Sequence, residues 1–316
     1  MLIEVAIPCL NESGSVGKVI QDFRLALPDA RIVIYDNGST DDTAAITRAA
    51  NAVVVPVARR GKGYVLQAIF EQSQADVVLL VDGDDTYDAA DAACLVQPLL
   101  RGDADMTVGT RLESATAGEF RQWHWAGNRA ITWMVNRLFD TDFHDVLSGY
   151  RAMTRRCLEL LPLVASGFEV EVEMTIQSLE LGFAVREVPI RYRSRSGGSV
   201  SKLRTFRDGC RIVLKILLLL RDYRPMVVFG VTAAGLAVVG TLLWSYGLLT
   251  APALRPAGIV LDSVALAVFL AGVVLDTMNS RFRELRSLLR RRRPAMPGAG
   301  DTTRLLAASS TDRDES

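Results

Sequence analysis

Cysteine is scarce in this chain and widely scattered. Cys9, Cys94, Cys157 and Cys210 are the four present, and no two form a C-x-x-C pair. That spacing excludes a zinc knuckle and a dithiol redox motif, and free thiols suit a reducing compartment. Histidine is scarcer still. His124 and His144 are the only two, too few for a credible Ser-His-Asp triad. Neither G-x-G-x-x-G nor G-x-x-x-x-G-K-[ST] occurs, so a dinucleotide dehydrogenase and a P-loop phosphatase are both unsupported. The opening MLIEVAIPCLNE has no basic stretch and no long apolar run. It does not read as a signal peptide, and the first domain is expected to remain in the cytosol. Net charge is also lacking: 36 Lys and Arg balance 36 Asp and Glu across 316 residues. A uniformly basic nucleic-acid binder is thereby excluded, as is an acidic solvating chain.

The balance conceals an asymmetry. Residues 1–190 sum to −11, residues 191–293 to +13, and the remainder to −2. An acidic body that holds cations, followed by a basic apolar segment that meets anionic lipid, fits this swing. Apolar residues make up 49% of the chain, high for a wholly soluble protein of this size. Met226–Thr250 contains no charged residue, and Gly258–Met278 contains only Asp262 and Asp276, near its ends. Each is long enough to cross the ~30 Å hydrocarbon core as a helix. Arg221 and Arg224 precede the first run and seven arginines lie within 279–293, whereas the connection carries Arg255 alone. The positive-inside bias places both ends of such a hairpin in the cytosol. Over Leu203–Asp222, apolar and basic residues recur at spacings of three and four on separate faces, the pattern of an interfacial helix. The tail from Pro294 is small and polar and reads as disordered.

The acidic body alternates short β-branched runs with helical patterns. Strands are expected at Leu2–Ile7, Ile32–Tyr35, Ala52–Pro56, Val77–Val81 and Met106–Val108. Helices are expected at Ser15–Ala26, Thr43–Ala50, Gly63–Gln74 and Asp91–Leu100. This order predicts an α/β, Rossmann-like fold with a mostly parallel sheet, whose ligands bind beyond the carboxyl ends of the strands. Four strands are followed by PCLNE, DNGSTDD, RRGKG and DGDD. Each is an ordinary turn by itself; together they gather carboxylates, amides, a lysine and glycines on one edge. Asp82 and Asp84 stand at i and i+2 after an apolar strand and repel each other unless a cation intervenes. Two oxygen donors of this kind suit Mg²⁺ or Mn²⁺, which share phosphate oxygens and could neutralise a departing diphosphate.

In order and spacing, IPCLNE, YDNGSTDDT, RRGKG, LLVDGDDTY, VGTR, DVLSGYR and SVSKL resemble the inverting family 2 glycosyltransferases with a GT-A fold. Within these the chain is similar to the polyprenyl-phosphate branch that includes dolichyl-phosphate mannose synthases. The resemblance implies a GT-A domain over 1–200, an interfacial helix over 201–224, two spans over 225–279 and a basic, then disordered, segment over 280–316. It implies that Pro8, Asn11 and Glu12 pack on the nucleoside, that Asp36 reads the base, and that Gly61, Lys62 and Gly63 lie near ribose and base. Asp82 and Asp84 match the metal and diphosphate motif. Where mannose synthases carry a Gln two residues on, Thr86 stands here. Arg111, Arg129, Arg151 and Lys202 match phosphate-clamping cations, and Asp145 an acid at the reaction centre. SRSGGS has the composition of a lid.

These expectations amount to transfer of one sugar from a nucleotide diphosphate sugar to a polyprenyl phosphate at the cytosolic membrane face. The acceptor oxygen is already anionic, so positioning and charge stabilisation carry the reaction rather than a strong base. YDNGSTDDT and GDDTY look more like users of UDP-sugars, UDP-GlcNAc or UDP-glucose, than of GDP-mannose, which is the alternative donor. A processive polysaccharide synthase is disfavoured because Q-x-x-R-W is missing. A non-catalytic nucleotide-binding scaffold is the alternative of another class. Nucleic acid is not an expected partner; self-association is left open.

Overall fold

A computed structural model describes residues 1–111, 122–193 and 205–291. The body is a seven-stranded sheet in the order β3-β2-β1-β4-β6-β5-β7. Its strands are β1 (Ile3–Cys9), β2 (Arg31–Asp36), β3 (Val53–Pro56), β4 (Val77–Leu80), β5 (Met106–Thr110), β6 (Arg151–Thr154) and β7 (Val185–Pro189). β6 runs antiparallel to both neighbours, β4 and β5, and the other pairings are parallel. The helices of the body are α1 (Val16–Ala26), α2 (Thr43–Ala49), α3 (Lys62–Gln72), α4 (Ala92–Leu100), α5 (Gln122–Phe139), α6 (Arg155–Leu160) and α7 (Val170–Glu180).

Both faces of the sheet are covered, and the strand sequences show why. Val5, Ile7, Ile32, Ile34, Val77 and Leu79 point into one core with α1 and α4. Their neighbours Ala6, Val33, Tyr35, Val78 and Leu80 point into the other with α3 and α7. With a period of two and apolar residues at both parities, each central strand reads as an uninterrupted apolar run. α1 buries Val16, Val19, Ile20 and Phe23 at helical spacing. The one polar intruder in β1, Glu4, is buried and accepts from the Tyr35 hydroxyl at 3.0 Å.

Among the described residues, those from Ile216 onward form a separate compact unit. α8 (Thr205–Tyr223) leads in sequence to α9 (Pro225–Leu249) and α10 (Arg255–Arg291). Two helices, over Pro225–Leu249 and Pro252–Phe282, are long and apolar enough to cross a membrane, and both are largely exposed, unlike a core helix. α9 and α10 pack closely where glycines remove side chains: Gly240 lies against Asp262, and Gly272 against Phe229. α10 continues past the expected end of the apolar run, so Arg281 belongs to the same helix.

Candidate active site

The loops after β1, β2, β3 and β4 meet at the carboxyl edge of the sheet and are tied together by hydrogen bonds. Asn11 adopts a left-handed conformation (φ 54°). Its Oδ1 accepts from Thr40 N at 2.7 Å, and its own N–H donates to Ser39 Oγ at 2.9 Å. The Glu12 N–H donates to Thr43 Oγ1 at 2.9 Å. Asp36 Oδ1 accepts from Ser39 N, three residues on, at 3.0 Å. Asn37 bridges onward: Nδ2 donates to Arg59 O, and Oδ1 accepts from Gly61 N, both at 2.7 Å. Ser15 Oγ donates to Gly83 O at 2.6 Å, which joins the β1 loop to the β4 loop. Asp41 accepts from Thr43 and Ser13; these bonds outweigh burial and hold its carboxyl down at about 2.

A small pocket lined by Pro8, Lys62, Asp82, Gly149, Glu171 and Met174 lies at this edge. Lys62 Nζ sits 2.7 Å from Asp82 Oδ1 and 2.7 Å from Glu171 Oε1. Burial by itself would push the ammonium down, but the two carboxylates outweigh it and hold Lys62 above the ordinary lysine range. Gly149 lies across the pocket: a Cβ there would stand 2.8 Å from Asp82 Oδ2 and 3.0 Å from Lys62 Nζ. The backbone thus approaches the ion pair closely, and a methyl there would have to push the Asp82 and Lys62 side-chain ends aside. Gly149 N donates to Tyr87 Oη at 3.1 Å, and burial pushes the Tyr87 phenol up.

Asp84 is buried, and its Oδ1 accepts from Thr86 Oγ1 at 2.6 Å and from Thr86 N at 3.3 Å. Thr86, at the place where the mannose synthases carry a Gln, therefore orients Asp84. Among the described residues no group of three His, Cys, Asp or Glu side chains could hold a metal ion. Asp82 and Asp84 would offer hard oxygen donors to one that brings its remaining ligands as phosphate oxygens and water. That donor set fits Mg²⁺ or Mn²⁺ arriving with a diphosphate better than a resident structural ion.

Beyond β5, Arg111 forms a bidentate pair with Asp145, Nε to Oδ2 at 2.7 Å and a terminal nitrogen to Oδ1 at 2.9 Å. Asn128 Nδ2 also donates to Asp145 Oδ1, at 3.0 Å. Asp145 is fully buried. Burial would raise its carboxyl, but the Arg111 guanidinium and these hydrogen bonds prevail and hold it below the usual range. The same pairing holds Arg111 above its ordinary value against desolvation. Arg111 also lies over the Tyr192 ring, 5.6 Å from its centroid. Asp145 thus fixes Arg111 in this arrangement.

Arg151 departs from the sequence expectation. It begins β6, is completely buried, and donates to Ser148 O, Val146 O and Thr175 Oγ1, each at 2.8 Å. Burial pushes its guanidinium down to about 10, so it remains charged at neutral pH. A buried guanidinium satisfied by two loop carbonyls and a threonine hydroxyl shapes the 146–149 turn. Arg129 is exposed on α5, next to Asn128. Lys202 lies outside the described residues.

Three groups escaped the sequence reading: Tyr87, Glu171 and Glu173. The available signal was F-E-V-E-V-E-M, 168–174, where glutamates alternate with valines inside an apolar frame. Buried carboxylates need partners, and Glu171 has Lys62.

Comparison with known proteins follows the same lines. The family described as glycosyl transferase family 2 matches residues 4–161. Glycosyltransferase AglJ of Haloferax volcanii is 33% identical over 88% of this chain and 93% of its own length. Polyprenol monophosphomannose synthase of Mycolicibacterium smegmatis is 28% identical over 63% of this chain and 80% of its own. Among solved structures, glucosyl-3-phosphoglycerate synthase of Mycobacterium tuberculosis, in complex with Mn²⁺ and UDP-glucose, superposes with a TM-score of 0.57 at 26% identity, covering 69% of this chain and 78% of that one. The mixed, mostly parallel sheet is GT-A-like, and the loops at its carboxyl edge carry the acidic pair and its lysine. The chain belongs to glycosyl transferase family 2 and is a glycosyltransferase.

Proposed function

We propose that this enzyme transfers one sugar from a nucleotide diphosphate sugar to a polyprenyl phosphate at the cytosolic membrane face, with inversion at the anomeric carbon. The observation that carries the reading is the pocket at the carboxyl edge of the sheet, where Asp82, Lys62 and the Gly149 backbone converge. Pro8, Asn11, Glu12 and Asp36 form the nucleoside side, and Gly61–Gly63 the loop that presents Lys62 to it. Asp82 and Asp84 would hold Mg²⁺ or Mn²⁺, whose contribution is charge neutralisation on the leaving diphosphate.

The acceptor phosphate is itself the nucleophile. Its anionic oxygen forms the new bond to the anomeric carbon as the bond to the nucleoside diphosphate breaks, and no proton need be removed. A buried Asp145 locked to Arg111 accords with that chemistry, because the pair keeps a guanidinium rigid without supplying a base. Arg111, Arg129 and Lys202 are the cations available to hold phosphates against their mutual repulsion, with Arg151 supporting the turn from below. The two long apolar helices and the basic residues around them support a lipid acceptor and a topology with both ends cytosolic.

A UDP-sugar, UDP-GlcNAc or UDP-glucose, is the favoured donor. GDP-mannose is the second reading, favoured by the similarity to a polyprenol monophosphomannose synthase. The test offers purified full-length protein a panel of nucleotide sugars with one polyprenyl phosphate and Mg²⁺ or Mn²⁺. Formation of an acid-labile glycosyl phospholipid from one donor supports the proposal. Donor binding with no transfer to lipid from any member of the panel would sink it and favour a scaffold.

A further inference from the structure

α7 and the residue that caps it bring three buried glutamates into the body, and each has a different task. Glu169 accepts from Ser166 N at 3.2 Å and Gly167 N at 3.0 Å. Glu171 holds Lys62. Glu173 faces away from the pocket lysine and is completely buried. Its Oε2 accepts from Val164 N at 3.1 Å and Ala165 N at 2.7 Å. Its Oε1 lies 2.6 Å from Lys215 Nζ, on α8, and accepts from Gln177 Nε2 at 3.3 Å.

The turn that Glu173 holds is the one against which the Lys62 loop rests. Ser166 O accepts from Gly63 N at 3.1 Å, and Ala165 O accepts from Gln67 Nε2 at 3.1 Å. The approach is so close that a Cβ on Gly63 would stand 2.0 Å from Ala165 O. A shift of the 164–166 turn therefore moves the first turn of α3 and, with it, the Lys62 side chain.

We propose that Glu173 and Lys215 are positioning residues for the Gly61–Gly63 loop, so that donor affinity depends on α8 being seated with Lys215 on Glu173. The proposal rests on reading that loop as part of the donor site. A buried carboxylate can remain ionised and grip two backbone N–H groups as long as an ammonium pairs with it. Without Lys215, Glu173 loses the cation that offsets its burial, and its grip on the turn weakens. Lys215 comes from the helix that leads in sequence to the two long apolar helices. Lys215 is the last residue of the first compact unit, so the pair lies within the body that carries the nucleotide loop.

The test uses the full chain in lipid nanodiscs, with Lys215→Met, Lys215→Arg and the double variant Lys215→Met/Glu173→Gln. Hydrogen exchange is read at amides 61–67 and 164–167, and KM is read for donor and acceptor separately. Lys215→Met is expected to speed exchange at both segments, with α1 unchanged, and to raise donor KM about tenfold, the worth of one charge-assisted hydrogen bond. Acceptor KM stays put. Lys215→Arg restores both readouts, and the double variant recovers most of the loss because no unpaired charge is left. Uniformly faster exchange with donor KM unchanged would mark the pair as a plain structural strut and overturn the proposal, as would no effect at all. If Lys215→Met is not recovered folded, Glu173→Gln decides: a raised donor KM supports the coupling and an unchanged one overturns it. If wild-type protein turns over no donor, the functional reading fails separately, and the exchange measurements still decide the coupling.

Discussion

Replacing Lys62 with methionine removes the ammonium between two carboxylates and keeps most of the side-chain volume. Both contacts are 2.7 Å, and the side chains of Lys62, Asp82 and Glu171 are 14%, 29% and 5% exposed. Breaking a buried pair by deleting one partner costs roughly 3–5 kcal/mol. Asp82 is partly hydrated and can recover solvation, so the lower end, about 3 kcal/mol, is the expected loss. For a domain of this size that is a fall in Tm of roughly 6–12 °C. Adding Glu171→Gln to Lys62→Met should recover about 1–2 kcal/mol through the coupling of neighbouring sites. The assay is thermal unfolding of single and double variants at neutral pH, alongside donor affinity. If Lys62→Met melted within about 2 °C of wild type at neutral pH, the ion pair would not be organising the pocket as argued.

Asp84→Ala should abolish transfer and, by stranding the Thr86 donors, lower Tm by a few degrees; full turnover at ordinary Mg²⁺ or Mn²⁺ would remove the acidic pair from the leaving-group role. Gly63→Ala drives a methyl into Ala165 O and should cost about 1–3 kcal/mol and weaken donor binding, as measured by melting and titration; wild-type values in both would contradict the packing of these loops. Asp145→Asn leaves Arg111 without its anion and should destabilise by about 3–5 kcal/mol. Because the folded Asp145 carboxyl is held low, its contribution is full above its unfolded value of about 4 and lost as pH falls below it. The Tm gap to wild type should therefore be wide at neutral pH and narrow toward pH 3, and a gap constant across that range would refute the pairing.

The first half of the body was legible because its strands and helices obey simple periods. The run expected at Ile32–Tyr35 is β2 (Arg31–Asp36), and the pattern expected at Asp91–Leu100 is α4 (Ala92–Leu100). β6 and β7 were not read. β6 is only four residues long and begins with an arginine whose charge is satisfied inside the protein. α7 hid for a related reason: V-E-V-E-M alternates like a half-exposed strand, yet every residue of it is buried. Its glutamates are tolerated there because Lys62, Lys215 and backbone N–H groups from distant segments meet them, and no local pattern announces such partners. The same cause explains Arg151. Sequence marked it as a cation beside a loop, but whether a guanidinium faces phosphate or a ring of carbonyls depends on which way β6 runs.

That reversed strand also governs the order in which the protein can assemble on the ribosome. β5 pairs with β6 and β7 and has no partner in β4, so it has nowhere to dock until residue 151 and beyond have been synthesised. A nascent chain ending before that point exposes one open flank of β4, a template for aggregation or a chaperone's hold. Once β6 and β7 have emerged the sheet can close, and only afterwards do the two long apolar helices leave the exit tunnel. Translation thus delivers the whole sheet before the two long apolar helices emerge, and a pause near residue 140 would leave it open where a pause after β7 has emerged would not.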